Sequence, residues 1–132
     1  MITEDYCSFE VAKLLKEKGF DELCIFKYSS EGVRMKAGVA IDEWQNSELD
    51  DDEYSCPSHA MAMKWLREVH KVLIVIDAYH ADHWEGYIDS FEISIYSHAS
   101  TIIVPNEIAH YTDYEEAVEA ALKYSLENLI QL

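Results

Sequence analysis

Positive charge is scarce in this chain. Lys and Arg together number 10 against 26 Asp and Glu, a formal net charge of −16. From Val72 onward a single basic residue, Lys123, stands against eleven acids. A protein that grips a phosphate backbone needs cations to displace its counterions, so this balance argues against direct binding of nucleic acid or of an anionic membrane. Glycine and proline are scarce too, at four and two residues. Neither G-x-G-x-x-G nor G-x-x-x-x-G-K-[ST] occurs, which removes the loops that cradle phosphates. With hydrophobic residues at 49 %, wholesale disorder is excluded as well. The longest apolar run, Val72 to Ile76, is far too short to cross a bilayer. The start, M-I-T-E-D-Y, lacks a basic segment followed by an apolar one, so no signal peptide is expected. Cys7, Cys24 and Cys56 are odd in number and lack a framework spacing, which reads as reduced thiols in a cytoplasmic protein.

What is present is periodicity. Between Thr112 and Ile130, Tyr114, Ala117, Val118, Ala121, Leu122, Ser125, Leu126 and Leu129 recur at three- and four-residue steps. This is the apolar stripe of a helix, with Glu115, Glu116, Glu119, Lys123 and Glu127 turned away. Thr112 is the expected N-cap, with Glu115 completing a capping box. An earlier helix follows Ser8, with Val11, Leu14 and Leu15 inward, and closes at Gly19 with Phe20 folded back in a Schellman motif. A third follows Pro57-Ser58, its stripe being Ala62, Trp65, Leu66 and Val69 with Met61 beside it.

Strand signals fill the intervals. Leu23 to Ser29 and Val33 to Ile41, separated by S-S-E-G, read as a hairpin. Its second strand is half-buried through Val33, Met35, Ala37, Val39 and Ile41. Val72 to Ala78 is nearly unbroken and apolar, suiting the middle of a sheet. Gly86 to Ser97 alternates as its partner, with Tyr87, Phe91, Ile93 and Ile95 on one face, and Thr101–Val104 fits either strand or loop. Asp42 to Glu53 carries seven acids and no base, which reads as a mobile surface loop. The expectation is one α+β domain over 1–132: an antiparallel sheet of four to five strands with about three helices on it, in the order α-β-β-α-β-β-α.

Chemistry-bearing residues are few. Cys56-Pro-Ser-His59 and His80-Ala-Asp-His83 have spacings that let two side chains reach one zinc ion. The constellation holds one cysteine, however, and surface histidines in polar turns are the commoner reading. G-x-S-x-G and H-E-x-x-H are absent. Carboxylates are so abundant that no pair stands out. No catalytic residue is assigned, no cofactor is expected, and nothing points to an enzyme. Trp44, alone inside an acidic run, either folds back on the core or anchors a partner together with Asp50, Asp51 and Asp52.

Three stretches carry a resemblance: S-F-E-V-A-K-L-L-K-E-K-G-F-D-E (8–22), M-A-M-K-W-L-R-E-V-H-K (61–71) and Y-E-E-A-V-E-A-A-L-K-Y-S-L-E-N-L-I (114–130). The chain resembles a family of small uncharacterised proteins of gut bacteria and their phages or mobile elements. That resemblance implies an α+β accessory protein inside the cell, and it transfers no catalytic or cofactor residue. Three functions follow. The first is an acidic accessory protein that binds another protein, a basic one by charge. The second is a nucleic-acid mimic that inhibits a DNA-binding host factor, and the third is a small metal-binding protein. Monomer and homodimer both fit.

Overall fold

The computed structural model describes residues 2–38, 43–79, 90–98 and 100–130. It is α+β, with three α-helices and two antiparallel sheets among the described residues. The backbone gathers into two compact units, Met1–Ala62 with Ile130–Leu132, and Met63–Leu129. No helix among the described residues is long and apolar enough to cross a membrane.

In the first unit, α1 spans Phe9–Glu17. The Ser8 hydroxyl accepts from the Val11 amide at 3.2 Å, satisfying a first-turn donor. At the other end Phe20 N–H reaches Leu15 O at 2.9 Å and Gly19 N–H reaches Lys16 O at 3.1 Å. Those two bonds are the Schellman pair, and Gly19 supplies the left-handed residue at φ +97°. Val11, Ala12, Leu15 and Phe20 are buried.

A three-stranded sheet in the order β2-β1-β3 packs beside α1, formed by β1 (Phe26–Tyr28), β2 (Arg34–Lys36) and β3 (Tyr54–Ser55). β3 adds a strand inside the stretch the sequence left between hairpin and helix. β1 and β2 form the expected hairpin, in register Phe26↔Lys36, Lys27↔Met35 and Tyr28↔Arg34. Gly32 turns it at φ +80°, and a Cβ there would lie 3.2 Å from the Phe9 ring. The expected half-burial of β2 is not observed: Val33, Arg34, Met35 and Lys36 are all exposed. The ring of Phe9 packs against Tyr28 of β1 and Tyr54 of β3. Val39 and Ile41 lie outside the described residues.

The helix α2 spans His59–His70. Ser58 caps it, its hydroxyl accepting from Met61 N–H at 3.1 Å. Ala62, Trp65 and Leu66 are buried as the stripe predicts, but Val69 is exposed. In that last turn His70 lies against Trp65 instead, the rings 4.6 Å apart.

The second unit holds a four-stranded sheet: β4 (Val72–Tyr79), β5 (Ser90–Ser97), β6 (Ser100–Ile102) and β7 (His110–Tyr111). Its order is β4-β5-β6, with β7 also on β5. Among the described residues the apolar run 72–78 therefore pairs on one side only, with β5, where the sequence suggested a central strand. It alternates in fact: Val72 and Ile74 are buried while Leu73 is exposed. The ladder from Val72↔Ser97 to Tyr79↔Ser90 is continuous. Just beyond its first rung, Lys71 and His98 both have positive φ, at 59° and 51°, and His98 N–H meets Lys71 O at 3.1 Å. Thr101, left open by the sequence, belongs to β6.

The last helix, α3, spans Tyr114–Asn128 and packs on β4, β5 and β7. Ala117, Val118, Ala121, Leu122, Ser125 and Leu126 are buried, as the stripe predicts. The cap moves one residue from the expected Thr112. The Asp113 carboxylate accepts from Glu116 N–H at 3.0 Å. A carboxylate at the positive helix end gains charge as well as a hydrogen bond, and that amide bond holds its pKa below the ordinary value.

Two tests follow from these contacts. Gly19→Ala should cost about 1 kcal/mol, the price of a left-handed backbone alone. Gly32→Ala should cost more, roughly 2 kcal/mol, because the Phe9 ring must also move; paired thermal melts rank the two. Burial holds the His70 imidazole below its ordinary pKa of 6.5. A depressed folded pKa means the unfolded chain takes the proton first, so stability falls as pH drops through 6.5 toward the folded value. The urea midpoint should therefore fall between about pH 7.5 and 5.5, and fall less in His70→Phe.

Candidate functional site

The cysteines converge in the first unit, where all three are buried. The Cys7 carbonyl is the hub. It accepts from the Tyr28 hydroxyl at 2.7 Å and from the Cys56 thiol at 3.3 Å. Burial, reinforced by the neighbouring Cys56, raises the Tyr28 pKa. Burial pushes the Cys24 thiol up to about 12, against a smaller opposing effect of the Ser55 hydroxyl. Of the expected zinc ligands, Cys56 and His59 are both buried here, while His80 and His83 lie outside the described residues. The imidazole of His59 is brought to Cys7, with thiol and ring nitrogen within 4.8 Å. Cys7 has 0 % of its surface exposed. A nucleophile must meet its substrate, and this geometry closes the thiol off.

The acidic stretch is folded over its described part, residues 43–53, which corrects the expectation of a mobile loop. Asn46 is buried and clamps two segments: its amide donates to Phe20 O at 2.7 Å and its carbonyl accepts from Ser55 N–H at 2.9 Å. Asp21 accepts from Ser47 N–H at 2.7 Å. The Lys16 ammonium donates to the carbonyls of Asp50 and Glu53 at 2.7 and 2.8 Å. A shallow depression of about 230 Å³ lies here, lined by Lys16, Gly19, Phe20, Asp21, Asn46 and Ser47. The polar groups of Lys16, Asp21 and Asn46 in its wall are already engaged, so little is left to fix a ligand. Asp50, Asp51 and Asp52 are exposed.

Trp44 is half-buried and exchanges two backbone bonds with Cys24, both 2.7 Å. The Lys27 ammonium stands 4.8 Å from its ring centroid and 2.8 Å from the Glu53 carboxylate. That contact holds the Glu53 carboxyl below its ordinary pKa.

The β1–β2 hairpin is different in kind. Phe26, Tyr28 and Tyr54 face α1 and the residues before it, where Tyr6 lies 4.7 Å from Phe26. Arg34 and Lys36 pair with Tyr28 and Phe26 but are themselves exposed, and the Arg34 guanidinium sits 5.1 Å from Tyr6 and 4.9 Å from Phe26. The other parity is mixed, with Ser55 opposite Lys27 fully buried and Met35 exposed. Leu23 is 48 % exposed, Ile25 40 %, Val33 55 % and Met35 46 %. Lys27 and Met35 are directly opposite, and Ala37 N–H bonds Ile25 O at 2.7 Å. Sequence reasoning placed β2 half inside, whereas the strand is exposed throughout. The signal that could have corrected it is the aromatic pair of β1, Phe26 and Tyr28, which has the larger area to bury.

Comparison with known protein families, with curated proteins and with solved structures finds no match.

The thiols give a direct check on the closed cluster. A thiol with its pKa near 12 is almost wholly protonated at neutral pH. Iodoacetamide at about pH 8 should leave Cys24 unmodified in the native protein and alkylate it in urea, as read by mass spectrometry.

Proposed function

We propose that this chain is a non-enzymatic cytoplasmic accessory protein of gut bacteria or their phages and mobile elements, and that it works by binding another protein. The observation that supports this reading is the exposure of four large apolar residues in and beside the β1–β2 hairpin, Leu23, Ile25, Val33 and Met35. Single exposed apolar residues are ordinary, but contiguous ones mark contact surfaces. Burying one such side chain is worth roughly 1.5–3 kcal/mol, enough for a few of them to dominate an interface. The rest of the first unit agrees with a binding role. Its thiols are closed off, and the depression beside Asn46 is lined by polar groups that already have partners.

The test compares the hairpin with an exposed residue elsewhere. Ile25→Asp and Met35→Asp should leave the melting temperature nearly unchanged, since exposed positions shift stability by about 0.5 kcal/mol or less. Each should abolish recovery of a partner that wild-type protein and Leu73→Asp both retain from lysate of the native host. Equal recovery by all four proteins would remove the reading.

A further inference from the structure

We draw no further inference here: the strongest candidate, the row of Asp77, Glu92 and His110 side by side on neighbouring strands of the second unit's sheet, is two surface carboxylates with an imidazole 3.9 Å from one of them, and nothing among the described residues points to an ion held there.

Discussion

Phe9 meets Tyr28 at a ring separation of 5.4 Å and Tyr54 at 5.7 Å, and this contact decides which side of the small sheet is inside. Aromatic rings bury more area per residue than the aliphatic side chains on the opposite parity, so α1 settles over the rings. Arg34 stays exposed beside them. Its guanidinium lies over Tyr6 and Phe26, which lets a charged side chain pack on aromatic rings while keeping water at its edge. β2 remains exposed along its length, Val33 and Met35 included.

The acidic segment shows how a chain with so few cations keeps its carboxylates in place. Lys16 is spent on main-chain carbonyls, those of Asp50 and Glu53, rather than on carboxylates. Lys27 holds Glu53 with both side chains mostly buried, at 15 % and 21 % exposure, where screening by salt is weaker than at an open surface. Asn46 does with a neutral amide what a charge pair would otherwise do, tying Phe20 O to Ser55 N–H. Asp50, Asp51 and Asp52 are left facing water, and like charges there cost little at high dielectric.

The helices were legible because their signals are local. Ser8, Gly19 and Ser58 act within a turn of themselves, and each does what its position predicts. The α3 stripe was legible for the same reason. Its cap was missed by one residue because Thr112 and Asp113 are both good caps, and only the fold chooses between them. The sheets were less legible because their errors are long-range. Alternation in β2 is real, but which parity faces α1 depends on rings in β1 and β3. The run from Val72 reads as a central strand because five apolar residues in a row hide their alternation. Its one-sided pairing among the described residues depends on β6 and β7 taking the other side of β5. The fold of residues 43–53 could not be read from charge, since Asn46 and Lys16 act across long sequence separations.

Lys71 and His98 flank the first rung of the β4–β5 ladder, and both have left-handed backbone. Only a few per cent of non-glycine residues adopt that conformation. Finding two of them facing each other means that the β4–β5 ladder ends on both strands at one common level, closed by the bond from His98 N–H to Lys71 O, where β5 turns back into β6. The second unit therefore has a squared-off hem, where neither strand can lengthen at its partner's expense. Register in this hairpin is counted from that hem, so a residue inserted within either strand would have to bulge out locally instead of sliding the whole pairing.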